Sequence, residues 1–164
     1  MSTVAEKTMT ATKTTPSLDW KLAAFDTLSV PELYALLQLR TEVFVMEQQC
    51  VFQDMDGSDD QAMHLQGECN GKLVAYARCF EAGIKFKEAS IGRLMTRPSV
   101  RGQKFGHHVL DEAVHRVCKE WGVQPIRIGA QARLERFYQG HGFATDSKVY
   151  IEDGIDHIEM LWKP

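Results

Sequence analysis

A chain of 164 residues with 44% hydrophobic and 25% charged side chains has the length for one domain with a substantial core, and its balance is ordinary. Its formal charge of −3, with Lys and Arg scattered along the chain, gives no support for nucleic-acid binding. No apolar run approaches membrane-spanning length and the N-terminus has no apolar signal core, so a cytoplasmic protein with no membrane partner is expected.

Residues 1–17 are rich in Thr, Ser and Lys without apolar periodicity and read as a flexible tail ahead of a single domain, 18–164. Leu18 to Phe25 alternates as a first strand through Trp20, Leu22 and Ala24. Ser29, Pro31 and Glu32 then give a capping-box helix start. The helix that follows runs to about Glu47 and buries Leu33, Leu36, Leu37, Val43 and Phe44. Arg40 and Glu47 fall beside that apolar stripe, which puts them either at a cleft mouth or in pairs at the core edge.

Asp54, Asp56, Asp59 and Asp60 form an acidic loop. It is not a calcium loop, because Gly57 is too early and Leu65 stands where the closing Glu is needed. The loop reads as solvated, with a rim attracting a cationic substrate as the functional alternative.

His64 to Cys69 and Leu73 to Phe80 are strands joined by the hairpin pair Asn70-Gly71, and Glu88 to Thr96 adds a third in an antiparallel meander. Pro98 ends it. From His107 to Trp121, Val109, Leu110, Ala113, Val114, Val117, Cys118 and Trp121 recur at helical spacing. A strand over Gln124 to Ala130, a helix over Ala132 to His141 ended by Gly142, and a hairpin turning at Asp153-Gly154 complete the chain. The order β-α-(α)-βββ-α-β-α-ββ predicts a mixed α/β fold, α+β-like and not doubly wound.

The turn between the third meander strand and the long helix is where chemistry is expected. Backbone N–H groups and the positive end of a helix dipole converge there, Gly102 and Gly106 let a ligand approach the backbone, and Arg101 adds charge. Phosphate binding is the first reading, although the loop is neither G-x-x-x-x-G-K-[ST] nor G-x-G-x-x-G. Cys50, Cys69, Cys79 and Cys118 are widely spaced and read as reduced thiols. His107 and His108 are adjacent on a helix and point apart, so no metal is expected.

With Thr96-Arg-Pro-Ser-Val-Arg-Gly-Gln-Lys-Phe-Gly106 and Phe137-Tyr-Gln-Gly-His-Gly-Phe143 both placed, the chain resembles the GNAT N-acetyltransferase superfamily. Arg40 to Gln48, Asp54 to Gly57, Tyr76 to Arg78, Gly129 to Gln131 and Glu152 to Met160 make it similar to the ElaA-type acetyltransferases. The resemblance implies a mostly antiparallel twisted sheet of about seven strands with about four helices. It also implies acetyl-CoA as donor and a primary amine as acceptor.

Carried over by position, Leu94, Met95 and Thr96 would bind the acetyl-pantetheine arm through their backbone. Arg101, Gly102, Gln103, Lys104, Phe105, Gly106 and His107 would form the pyrophosphate loop, and Gln131 stands where the pattern often has Asn. Tyr138 matches the residue that protonates the leaving thiolate. Lys104 departs from the pattern, which usually has Gly there, so its side chain must point away from the ligand or towards a phosphate. The strand after the long helix offers no Glu as general base; Glu47 is the preferred candidate, with Glu42, His64 or a water relay as alternatives.

The acidic residues favour a cationic acceptor. A longer acyl donor is disfavoured by Met95 and Phe105, and a non-catalytic coenzyme A-binding module by the presence of Tyr138. The last hairpin could pair with a second copy to make a homodimer, though nothing in the residues requires it.

Overall fold

The computed structural model describes residues 17–164, so the tail expected over 1–17 lies, apart from Ser17, outside the described residues. Strand β1 (Asp19–Ala24) leads to Ser29, where the capping box forms: Ser29 Oγ accepts from the Glu32 N–H, and a Glu32 carboxylate oxygen accepts from the Ser29 N–H at 2.8 Å. These bonds satisfy donors that a helix start leaves open. Helix α1 (Val30–Arg40) continues as a π-helical stretch, Thr41–Glu47. The wider turn displaces the residues that follow it from the α-helical stripe. Arg40, just before it, is fully buried, while Glu47, at its end, reaches solvent.

Strands β2 (Met63–Cys69), β3 (Lys72–Phe80) and β4 (Ala89–Thr96) form the expected meander. Asn70 and Gly71 both have positive φ, 51° and 72°, as a two-residue hairpin of matching twist demands. Helix α2 (Phe105–Trp121), strand β5 (Ile126–Gln131) and the short helix α3 (Glu135–Gln139) follow. The helix predicted over Ala132 to His141 is shortened because its first turn, Ala132–Leu134, winds as a 3-10 turn. The sequence reading did not foresee β6 (Phe143–Thr145), only three residues long. The closing hairpin joins β7 (Tyr150–Glu152) to β8 (Ile155–Trp162).

The eight strands make one sheet in the order β1-β2-β3-β4-β5-β8-β6, with β7 also on β8. Every pairing is antiparallel except β4 with β5. Alternation along the strands gives the sheet two different faces. On one, Ala75, Ala77, Ile91, Ile128, Ile158 and Met160 pack against Val109, Leu110, Ala113 and Val117 of α2. On the other, Tyr76 and Met95 meet Leu36, Leu39 and Val43 from α1 and its extension. No helix among the described residues is long and apolar enough to cross a membrane.

Three of the four aspartates in the acidic loop are engaged by arginines, while Asp60 stays exposed. Asp54 binds Arg40 Nε and Arg93 Nε, each at 2.7 Å; Asp59 binds Arg40 at 2.6 Å and Arg78 at 2.9 Å; Asp56 takes a two-pronged bond from Arg78 at 2.7 and 2.8 Å. The arginines come from α1, β3 and β4, positions that a reading of the loop alone does not connect. Burial opposes the charge on Arg40, but the hydrogen bond to Asp59 and the nearby carboxylates offset it, and its pKa is raised. Burial alone would raise Asp59; the bonds and charges of Arg40 and Arg78 hold it below its ordinary value instead. The Arg78 hydrogen bonds likewise hold Asp56 well below the carboxylate range.

His64 belongs to the same cluster. Its Nε2 lies 2.9 Å from the Asp59 carbonyl oxygen, which can only accept, so Nε2 carries the proton and Nδ1 accepts from the Tyr76 hydroxyl at 2.7 Å. Burial lowers its pKa, so it is held neutral.

Two outcomes follow for stability. Arg40→Ala removes a buried partner from both Asp54 and Asp59, leaving each carboxylate one guanidinium, and should cost about 3 kcal/mol in a denaturant titration, the low end for breaking a buried pair; a loss under about 1 kcal/mol would remove the network as the anchor of this face. The folded-state pKa values of His64, Asp56 and Asp59 are all depressed, so the unfolded chain binds more protons in acid. Thermal stability should begin to fall as pH drops below about 6.5, the unfolded value for His, and fall faster below about 4, where unfolded Asp titrates.

Candidate active site

Strand β4 parts from β5 almost at once. Their ladder holds only Ala89 with Ile126 and Ser90 with Arg127. The cause lies on the other side of β4. Tyr76 pairs with Met95 and Arg78 with Gly92, so the single residue Ala77 faces both Arg93 and Leu94, a bulge that bends β4 away. Arg93 sits in the bulge with φ 51°, a left-handed conformation costly for a side chain of its kind. Its guanidinium is clamped by Asp54 and lies between the rings of Phe44 and Phe52, at 5.7 and 5.6 Å.

Beyond Ser90, the β5-facing edge of β4 has no strand partner, and a cleft of about 940 Å³ opens along it. Leu94, Met95 and Thr96 line it from β4, Gly129 and Gln131 from β5, Tyr138 from α3, and Arg101 and Gly106 from the loop and start of α2. Of the residues expected to bind one ligand, Leu94, Met95, Thr96, Arg101, Gly106, Gln131 and Tyr138 thereby share one opening, whereas Gly102, Gln103, Lys104, Phe105 and His107 do not line it.

Tyr138 is 9% exposed, with Phe137 and Phe143 edge-on against its ring at 5.1 and 6.0 Å. Burial pushes its pKa up to about 12, so the phenol keeps its proton at neutral pH. No hydrogen bond from another described residue engages its hydroxyl, which leaves that O–H available to the cleft.

The loop from Arg97 to Lys104 turns through Gly102 at φ 82° and Lys104 at φ 63°. Lys104 is the N-cap of α2, and no side chain caps the helix there. The first N–H groups of a 17-residue helix are thus left without a side-chain acceptor, as suits an anion. The left-handed conformation of Lys104 explains why a glycine would be the usual occupant: it adopts that φ without a Cβ penalty.

Other expected roles look different in three dimensions. Arg101 does not offer a free cation to the loop. Its guanidinium grips both Glu47 oxygens at 2.6 and 2.9 Å and also donates to the Thr96 carbonyl at 3.3 Å. Glu47 does reach the cleft, where each of its oxygens accepts from Arg101. Glu42 is bound by Arg97 at 2.5 Å, and the buried His64 has both ring nitrogens committed. Gln131 donates to Gln48 Oε1 and accepts from Arg133 Nε, each at 3.0 Å. His107 stacks on His141, which lies 2.6 Å from Asp111.

Sequence reasoning missed Arg93, Tyr150 and His157, all of which line the cleft. Strand alternation could have found His157: Ile158 and Met160 are core residues, which turns His157 and Glu159 to the opposite face. Arg93 was hidden because a bulge leaves no mark in an apolar pattern.

Residues 30–164 match the family model for the acetyltransferase (GNAT) domain. The chain is 41% identical over 145 residues to the protein ElaA of Escherichia coli K12, covering 87% of this chain and 95% of that protein. The chain belongs to the GNAT acetyltransferase family, in its ElaA-type branch. The crystal structure of an acyl-CoA N-acyltransferase from Pseudomonas aeruginosa superposes with a TM-score of 0.85 at 40% identity, covering 89% of this chain and 99% of that one. A more distant GNAT fold, an N-acetyltransferase from Thermoplasma acidophilum solved with coenzyme A, matches with a TM-score of 0.62 at 18% identity and covers 89% and 99%. In this GNAT acyltransferase a lysine, Lys104, occupies a turn of the left-handed kind that glycine adopts most readily.

Replacing that lysine therefore gives a direct reading of backbone strain. Lys104→Gly removes a left-handed penalty of roughly 1–2 kcal/mol and adds unfolded-chain entropy of roughly 0.5–1, for a net stabilisation of about 0.5–1 kcal/mol. Chemical denaturation of the two proteins measures the difference. Destabilisation instead would mean that the Lys104 side chain contributes more than its backbone costs.

Proposed function

We propose that this protein transfers an acetyl group from acetyl-CoA to a primary amine by direct attack within a ternary complex. The observation that carries the reading is the convergence of an unpaired strand edge, an uncapped helix start and a buried neutral tyrosine on one cleft. Each answers a separate demand of the chemistry.

The β4 edge at Leu94, Met95 and Thr96 would hydrogen-bond the amide-bearing arm of the donor as a missing strand would, and an N–H on it would stabilise the oxyanion that forms when the amine adds. The loop from Arg101 to His107 would hold the pyrophosphate through backbone N–H groups, with the Lys104 ammonium near it. Tyr138 would give its proton to the departing sulfur. Coenzyme A in the Thermoplasma relative and the N-acyl chemistry named for the Pseudomonas relative agree with this donor.

The acceptor is a cationic amine in this reading, although the acids first taken to attract it, Asp60 apart, are already paired to arginines. The carboxylates on the cleft with no cation within reach among the described residues are Glu152 and Asp153, at the turn of the closing hairpin. An amine attracted to them would enter across β7 and β8.

Coenzyme A release measured with acetyl-CoA and a panel of polyamines, aminoglycosides, amino acids and lysine peptides tests the proposal. Tyr138→Phe should lower kcat on the accepted class about tenfold or more, roughly 1.4 kcal/mol of barrier. Unchanged turnover in the variant would remove Tyr138 from the chemistry; failure of the wild type to bind acetyl-CoA would remove the whole reading. A propionyl- and butyryl-CoA series in the same assay separates acetyl from longer-chain transfer.

A further inference from the structure

A protonated amine cannot attack a thioester until it has lost a proton, and the groups first considered for that task are occupied. Glu47 is held by Arg101 and Glu42 by Arg97; of the other carboxylates on the cleft, Asp56 is held by Arg78 and Glu159 by Arg127 at 2.9 Å. His64 is buried with both nitrogens bonded.

His157 is different. It stands on β8, opposite Gln131 of β5 on one side and Tyr150 of β7 on the other. Core residues Ile158 and Met160 turn it to the face away from α2, and it lines the cleft beside Gln131, Tyr150 and Glu159. Its Nδ1 lies 2.8 Å from the Ile155 carbonyl oxygen, which can only accept, so the proton resides on Nδ1. Nε2 then carries the lone pair, and no described residue hydrogen-bonds it. The Tyr150 ring lies at 5.9 Å and 30° to the imidazole and limits its rotation. The Tyr150 hydroxyl reaches over Gly129, where an added Cβ would sit only 3.2 Å from it. This is a cleft-lining histidine whose tautomer is set by a backbone carbonyl and whose Nε2 has no hydrogen-bond partner among the described residues.

We propose that His157 is the general base that deprotonates the incoming ammonium, an inference that rests on the transferase reading above. Nε2 takes one proton from R–NH3+, and the freed lone pair forms the C–N bond while the carbonyl π pair moves to oxygen. The oxyanion collapses, the C–S bond breaks, and the thiolate takes the Tyr138 proton. A second N–H proton, now acidic on the acylated nitrogen, restores the phenol directly or through water. The imidazolium passes its proton to solvent, so the net release is one proton for each amide and each free thiol formed. Donor and acceptor thus use opposite sides of the sheet opening: Tyr138 serves the sulfur beneath the α2 face, and His157 serves the nitrogen on the other.

The test compares two nucleophiles in wild type and His157→Gln at neutral pH, following coenzyme A release. One is the alkylamine from the panel that wild type turns over fastest, which is protonated in solution; the other is hydroxylamine, which is largely neutral there and needs no base to attack. The substitution should lower kcat/KM for the alkylamine about 100-fold, within the usual range for losing a general base, and leave the hydroxylamine rate and the acetyl-CoA Kd within about twofold. Unchanged acetyl-CoA affinity also shows that the variant is folded. Equal losses with both nucleophiles would make His157 a structural residue and overturn the proposal, as would equal rates of wild type and variant with the alkylamine. Absence of turnover by wild type with every nucleophile would instead sink the transferase reading, and this inference with it.

Discussion

Much in this molecule depends on a side chain holding a strand out of line. Arg93 occupies a left-handed bulge in β4, and the chain accepts that strain because Asp54 and two aromatic rings fix the guanidinium. Asp54 is in turn fixed by Arg40, which is fully buried in α1. The sequence of supports runs from a helix through an acidic loop to the strand whose departure from β5 makes the cleft. Packing alone would favour continuing the parallel ladder; the ion pairs oppose it, and the cleft results.

This arrangement changes what the acidic loop does. Three aspartates against three arginines and a lysine leave no negative excess in the cluster, so the loop contributes shape more than field. Burying so many charges is costly and returns little net stability, but it fixes geometry because each carboxylate demands a defined set of donors. That is a reasonable exchange for a chain that must keep an irregular strand in one conformation. The negative charge left for steering an acceptor lies across the opening, at the turn between β7 and β8.

The order of elements was largely legible because each is announced by local chemistry: a capping box at Ser29, a hairpin pair at Asn70-Gly71, a helical period through α2. The donor half of the candidate site was legible for a similar reason, since its residues lie in two short motifs flanking α2. What stayed hidden depends on contacts between distant positions. The partners of Asp54, Asp56 and Asp59 lie on α1, β3 and β4, and the pairing of Glu47 with Arg101 spans 54 residues. β6 was missed because three residues are too few to show a period. The π-helical stretch escaped notice because Arg40 and Glu47 fit an α-helical stripe until the helix widens between them.

The unpaired edge of β4 also bears on what the protein avoids. A row of free backbone donors and acceptors is normally a hazard, because another chain's strand can add to it and begin aggregation. Most sheets meet that hazard at their borders with charges, prolines or short strands. Here the free edge lies in the middle of the sheet, between β4 and β5, joined above it by two residue pairs and flanked by α2 and α3. A slender, flexible arm can thread the gap and use the edge, whereas a second polypeptide strand would have to force the two halves of the sheet apart. The splay thus exposes reactive backbone to small ligands and withholds it from other proteins.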